Sequence, residues 1–451
     1  MRTENKTIRE RLLTGTAWAT AGKIASALVG IGITALLARL LSTEGMGNYF
    51  LTMSVLSIFA LLSQLGLNQA VVRFIGEAIG KGNGGRVRDT IRLALRNGAV
   101  GSLIGASIFL LFRQEILLTG LHAPELLKLH WHIAIWIAIM TVNGILSEIF
   151  RGFHNIKLAT LFSGLLSSTS FIIVLVFSYI SGIYLGLERV FLFAILSSAL
   201  SVLLALIFLK RACVTLPKTT QTHIPMRSKD LMDVAWPMWV SGSALLLLSQ
   251  ADILVLGIFR PAAEVAIYGA ASRLVALVAM SLVIVNAVIP PIIAELYSQN
   301  KRAELEKLLR TTASVAGIPT LGVLVLFIFQ GDHLLALVYG EYYAEGGLIL
   351  TILSVGQLVN VFTGSCGITL TMTGNQTTMM MITLVIGAFT VALALALGSQ
   401  YGAIGVAVAA ASGWTLQNIA MLVGAKIKTG MWTHFGALSL NEIKVLAKRF
   451  R

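Results

Sequence analysis

Residues 245–259 read LLLLSQADILVLGIF, an apolar run that carries a single carboxylate, Asp252. Together with its neighbours over 232–258 the run is long enough, as a helix, to cross the ~30 Å hydrocarbon layer of a bilayer. An ionised carboxylate alone in hydrocarbon is costly. Asp252 therefore calls for an opposite charge on a neighbouring helix or for a wet cavity.

The rest of the chain has the same character. Hydrophobic residues make up 56% of 451 positions and charged residues only 12%, a balance that excludes a soluble globule and predicts a polytopic membrane protein. Apolar windows of about 20 residues fall at 16–38, 49–76, 91–111, 131–151, 158–179 and 187–209, and again at 232–258, 264–293, 311–330, 347–371, 377–398 and 401–424. They are long and do not alternate, which favours helices over the short strands of a membrane barrel. The expected fold class is thus all-α and polytopic, with about twelve transmembrane helices in two six-helix lobes around a central cleft. The polar first thirteen residues lead into the first span without a small-residue cleavage site, so this span is expected to be uncleaved.

Charge sets the orientation. If the N-terminus is cytoplasmic, the alternate segments 1–15, 77–96, 151–157, 210–230, 300–310 and 426–451 carry 26 of the 34 Lys and Arg residues, whereas the opposite connections hold Arg39, Arg113, Lys128, Arg189 and Arg260. This asymmetry predicts a multi-pass plasma (cell inner) membrane protein with both termini inside. It also accounts for most of the net charge of +14 without nucleic acid, which the short loops give no surface to bind.

The longest internal cytoplasmic connection, 210–230, divides the chain into an N-terminal lobe, 1–209, and a C-terminal lobe, 231–425, followed by a basic tail, 426–451. A shift of about 219 residues aligns Ala17-Trp18 with Ala235-Trp236, Glu77 with Glu295 and Arg92 with Arg310. Six spans per copy return the second copy to the same side, as in parallel repeats related by an axis along the membrane normal. Such a pair of lobes suits alternating access.

Catalytic signatures are not found. Cys213 and Cys366 match neither a disulfide framework nor metal-ligand spacing. His130 and His132 flank Trp131 as an interfacial belt would, and the other histidines form no hydrolase or zinc-protease pattern. The stretch GKGNGGRVRD, 80–89, lacks the lysine and hydroxyl positions of a phosphate loop. A membrane glycan polymerase, the enzyme alternative, would carry a large charged outer loop. No metal and no cofactor are expected.

Two stretches carry a family resemblance. GTAWATAGKIASALVGIGITALLARLLSTEGMGNYFLTMSVLSIFALLSQLGLNQAVVRFIGE, 15–77, resembles the beginning of the polysaccharide and oligosaccharide flippases of the multidrug, oligosaccharidyl-lipid and polysaccharide exporter superfamily. ADILVLGIFRPAAEVAIYGAASRL, 251–274, resembles the corresponding part of their second half. The resemblance covers residues 10 to about 425 and implies movement of a polyprenyl-diphosphate-linked oligosaccharide to the outer leaflet for cell-surface polysaccharide synthesis. Twelve expected spans, against the fourteen of the peptidoglycan-precursor branch, place the chain nearer the O-antigen and exopolysaccharide flippases. The resemblance also implies membrane lipids and a glycan polymerase as partners, and it permits Na⁺ or H⁺ coupling. An ion-coupled exporter of drugs or other small molecules is the alternative, with Asp252 facing the substrate; a non-transporting scaffold is a third.

A flippase needs cations for a diphosphate and a hydrated path for a glycan. Arg73, Arg92, Arg96 and Arg151, near the cytoplasmic ends of their spans, are the diphosphate candidates, although interface anchoring, snorkelling and structural ion pairing are the commoner uses of such residues. Glu77, Glu148 and Glu295 are the inner-gate candidates. Asp252 and Arg273 fall at overlapping depths and are expected either to pair or to face a cavity. Asn68 and Pro290-Pro291 are the hinge candidates, since proline removes a donor and obstructs the preceding turn.

Overall fold

In hydrocarbon every backbone N–H and C=O must find its partner within the chain, and long apolar runs meet that demand as helices. The computed structural model describes residues 8–214, 216 and 226–436, and every regular element among them is helical. Of the expected linker and tail, residues 215, 217–225 and 437–451 lie outside the described residues, as do residues 1–7. Packing divides the chain into two compact units, Met1–Gln250 with Pro261–Ala263, and Ala251–Arg260 with Glu264–Arg451.

The first unit opens with α1 (Ile8–Leu40), α2 (Thr43–Ser63), α3 (Leu67–Gly80) and α4 (Gly84–Leu111). On the other side of a short connection that contains α5 (Pro124–Lys128) come α6 (His130–Gly152), α7 (Ile156–Thr160), α8 (Leu166–Ile180) and α9 (Leu187–Val214). Ser42 and Asn83 cap α2 and α4 by accepting from the amides of Gly45 and Arg86 at 3.1 and 2.9 Å. Small residues bring the helices close: a Cβ at Gly101 on α4 would collide with the Ser63 carbonyl oxygen.

The window 49–76 reads as one span, yet the helix breaks inside it. Leu65 and Gly66 are both left-handed, at φ 50° and 73°, and the chain restarts as α3. The Leu62 carbonyl, left at the end of α2, accepts from the Trp239 indole at 2.9 Å. α7 and α8 form a single run that loosens into a wide turn over Leu161–Leu165, where Gly164 has φ 131°.

Helix α10 (Ser228–Phe259) follows. The packing boundary falls inside α10, between Gln250 and Ala251. The flanks of the linker are tied to α4: Arg88 donates to the Leu216 carbonyl at 3.3 Å, Asp89 accepts from the Met226 amide at 3.1 Å, and Asn97 donates to the Ser228 hydroxyl at 2.8 Å.

The second unit continues with α11 (Ala262–Ser298), α12 (Arg302–Tyr339), α13 (Gly347–Thr363), α14 (Cys366–Met372) and α15 (Gln376–Thr429). The window 347–371 is also two helices, parted at Gly364 with φ 71° and ψ −154°. Conversely, the windows 377–398 and 401–424 are one run of 54 residues bent at Gly402, with φ 59° and ψ −138°. Arg260 donates to the carbonyls of Ser399 and Gln400 at 3.4 and 3.2 Å, and Glu264 accepts from the Ala403 amide at 2.6 Å. A cation thus meets the last carbonyls of one arm and an anion the first amide of the next, as the helix dipole favours.

After α15 the chain turns back. Residues 431–436 lie along the end of α13, with the Thr433 hydroxyl donating to the Thr363 carbonyl at 2.7 Å and the Phe435 amide to the Phe362 carbonyl at 2.8 Å. Ten helical stretches among the described residues are long and apolar enough to span a membrane. The expected twelve and these ten differ at α10, of which only Leu246–Phe259 enters the count of described residues, and at α15, whose two arms count as one run.

Candidate functional site

The first unit carries a half-open cavity of about 410 Å³, within the roughly 300–1,000 Å³ usual for small-molecule sites. α2 contributes Tyr49, Ser57 and Gln64, the last at the point where the helix breaks. α6 contributes Trp136, Asn143 and Gly144, and the wide turn with α8 contributes Ser163, Gly164, Ser167 and Ser168. Ser198 on α9 and the apolar Met53, Met140 and Phe171 complete the parts relevant to its chemistry. Trp136 is held against Phe191 with ring centroids 5.7 Å apart.

The cavity is polar without being charged: no acidic or basic side chain lines it among the described residues. Several of its hydroxyls are committed to their own helices, Ser57 to the Met53 carbonyl at 2.7 Å, Ser163 to Thr160 at 2.9 Å and Ser167 to Gly164 at 2.9 Å. Asn143 accepts from the Ser201 hydroxyl at 3.3 Å, which leaves its N–H groups to donate. Gln64 makes no side-chain hydrogen bond among the described residues; its amide lies beside Gly144, where a Cβ would come within 2.5 Å of Nε2. Two amides, several serine oxygens and an aromatic face can hold a neutral, hydroxyl-bearing group. They offer nothing to neutralise a cation or a diphosphate.

The expected site residues lie elsewhere. Arg73 is exposed on α3, and Arg92 and Arg96 are exposed on α4. Arg151 is bound to Glu148 at 2.9 Å, one helical turn away. Glu77 is bound to Lys81 at 2.7 Å, and this hydrogen-bonded ammonium holds its carboxyl below the usual carboxylate range. Glu295 is exposed and accepts from Gln299 at 3.4 Å. None of these side chains lines the cavity.

Asp252 accepts from the Tyr268 hydroxyl at 3.0 Å and the Ile253 amide at 2.8 Å, while Arg273 is exposed and acts on it as an opposite charge. Among the hinge candidates, Asn68 sits just after the break at Leu65-Gly66, and Pro290-Pro291 lie inside α11, which continues to Ser298. Sequence reading missed the cavity amides and serines. The available signal was the hydroxyl-rich run SGLLSSTS, 163–170, inside an apolar span.

Comparison with known proteins agrees with this architecture. The polysaccharide biosynthesis protein family matches residues 12–297, and the MatE family matches residues 237–397. The capsular polysaccharide biosynthesis protein CapF of Staphylococcus aureus is 31% identical over 102 residues, 23% of this chain and 26% of that protein. Stage V sporulation protein B of Bacillus subtilis (strain 168) is 24% identical over 149 residues, 33% of this chain and 29% of that protein. The matches thus span less than a third of either relative.

Among solved structures, an inward-facing multidrug resistance MATE transporter of the MOP superfamily superposes with a TM-score of 0.72 at 17% identity, over 90% of this chain and 94% of the other. The lipid II flippase MurJ, in an inward closed conformation, gives 0.69 at 13% identity, over 96% and 90%. At these identities the likeness is one of fold. With residues 12–297 of its 451 matched, the chain belongs to the polysaccharide biosynthesis protein family.

Proposed function

We propose that this transporter moves a polyprenyl-diphosphate-linked oligosaccharide from the cytoplasmic to the outer leaflet of the plasma (cell inner) membrane by alternating access, in the service of cell-surface polysaccharide synthesis. The observation that carries this reading is the uncharged cavity of the first unit, whose amides, serine oxygens and Trp136 suit sugar hydroxyls. The printed name of CapF, a capsular polysaccharide biosynthesis protein, supports the same substrate class. The exposed Arg73, Arg92 and Arg96 would draw the diphosphate to the cytoplasmic side. We read twelve crossings with both termini inside, counting α10 and each arm of α15 once, and a glycan polymerase as the natural recipient of the product.

A second reading is an ion-coupled exporter of drugs or other small molecules. The MatE match over 237–397 and the superposition on a multidrug transporter support it, and on fold likeness alone it is the better supported of the two. Asp252 would then be its substrate-facing or coupling carboxylate.

Purified protein in liposomes separates the readings. The first expects accelerated exchange of a fluorescent lipid-linked glycan; gradient-driven uptake of a cationic dye with no glycan exchange would establish the second instead.

A further inference from the structure

Arg310 lies on α12, two turns beyond its cytoplasmic start, and is half-buried. Its Nε is buried with no hydrogen-bond partner, and no other donor of its guanidinium is bonded among the described residues. A structural arginine in such a place normally spends its five N–H groups on carbonyls or carboxylates.

What covers Arg310 is the 431–436 strap. Gly436 packs directly on the guanidinium: a Cβ there would lie 2.8 Å from Nε and 3.0 Å from Nη2, so the position tolerates only glycine without displacement. The same Gly436 engages Ser314, one turn along the same face of α12. Its amide donates to the Ser314 hydroxyl at 2.9 Å, and its carbonyl lies 2.8 Å from that hydroxyl. The strap is otherwise pinned by Thr433, wholly buried, and by Phe435 stacked on Phe362 at 5.5 Å.

We propose that Arg310 and Ser314 form a phosphate-binding site that the strap occupies in the structure, with the Gly436 peptide standing where a phosphate group would sit. A phosphate supplies the anion for the guanidinium that the peptide does not, and takes over from the Gly436 carbonyl as an acceptor for the Ser314 hydroxyl, which also reaches the Arg310 carbonyl at 2.9 Å. Its binding releases Gly436, and with it the caps that Thr433 and Phe435 place on the end of α13 beside the Gly364 break. Phosphate binding at the cytoplasmic end of the second unit is thereby linked to freeing a broken helix. The site does not depend on the identity of the cargo; a lipid-linked diphosphate and a free phosphate share its chemistry.

The test uses the full chain in phosphatidylcholine nanodiscs, with Cys213→Ser and Cys366→Ala removing the native thiols and Thr433→Cys as a buried reporter. The measured quantity is its rate of reaction with a membrane-impermeant maleimide. Sodium pyrophosphate, or a polyprenyl diphosphate built into the disc, is expected to accelerate labelling about tenfold, the shift that a tenfold preference for the released strap produces. Acceleration by both identifies the phosphate chemistry alone as sufficient, and acceleration by the lipid only identifies an anchored headgroup as the ligand. Arg310→Gln should abolish the response and Arg310→Lys retain part of it, while Gly436→Ala should raise the rate without ligand. If Arg310→Gln does not fold, Arg310→Lys and Ser314→Ala carry the comparison.

An unchanged rate with both probes, or an undiminished response in Arg310→Gln, overturns the proposal. Failure of glycan exchange with an intact labelling response would sink the flippase reading and leave this site standing.

Discussion

The hydroxyl of Tyr268 on α11 donates to Oδ2 of Asp252 on α10 at 3.0 Å, so the one carboxylate of the run 245–259 is held by a neutral partner. Removing that donor strands a half-buried acceptor. Tyr268→Phe is expected to lower stability by about 1 kcal/mol, a modest figure because polar bonds in membrane interiors measure small. Asp252→Asn keeps an oxygen for the hydroxyl and should fold nearly as well as the parent. Thermal unfolding of the single and double variants would give the coupling energy for 252 with 268 and for 252 with 273. A larger coupling to Arg273 than to Tyr268 would refute the assignment.

Gly402 is the next most constrained position. Its φ of 59° and ψ of −138° suit glycine alone, and a Cβ would meet Glu264 Oε1 and lie 2.9 Å from Arg260 Nε. Gly402→Ala should cost about 1–3 kcal/mol. Glu264→Ala, which strands the Ala403 amide, should cost about 1–2 kcal/mol, and Glu264→Gln less. A melting temperature unchanged in Gly402→Ala would mean that the bend is not held there.

Glu77 makes a weaker, pH-dependent contribution. Lys81 lowers its carboxyl pKa from the ordinary 4.5, so the pair stabilises the folded chain above that value and ceases to do so as pH falls through the lower folded one. Both side chains are well exposed, and solvent screening keeps the effect small. Melting temperatures of the parent and Lys81→Gln should differ slightly at about pH 7 and converge on acidification once the Glu77 carboxylate is protonated. A gap that widens on acidification would contradict the sign.

What was legible in the sequence follows from what physics writes into composition. Long apolar windows forced helices, so the class and most spans could be read directly. The breaks could not: Leu65 is no breaker by type, and its left-handed turn exists because Gly66 must pass the Ala235 carbonyl, a tertiary contact. Asp252 stood out as an anomaly, but charge complementarity drew the eye to Arg273, whereas a tyrosine hydroxyl among many polar groups carries no such mark. The arginines near span ends were equally visible, yet the exposure of Arg73 and the buried Nε of Arg310 differ only after folding. The cavity was hidden for the same reason, since its amides and serines come from separate helices and share no periodicity.

The cavity supplies the sharpest prediction about transport. Gln64 occupies its place because Gly144 has no side chain, and Gly144→Ala would bring a methyl group to within 2.5 Å of Nε2. The clash falls on the flexible end of a side chain, so the protein should fold while the amide swings away from the cavity wall. One hydrogen bond to a neutral ligand is worth about 0.5–1.5 kcal/mol, so glycan exchange in liposomes should drop about 2- to 13-fold. Gln64→Ala should match that loss, and Gly144→Ala combined with Gln64→Ala should regain stability but not transport. Asn143→Leu, which removes the second amide and strands the Ser201 hydroxyl, should lose both. Full exchange in Gln64→Ala and in Asn143→Leu alike would show that the glycan takes another route.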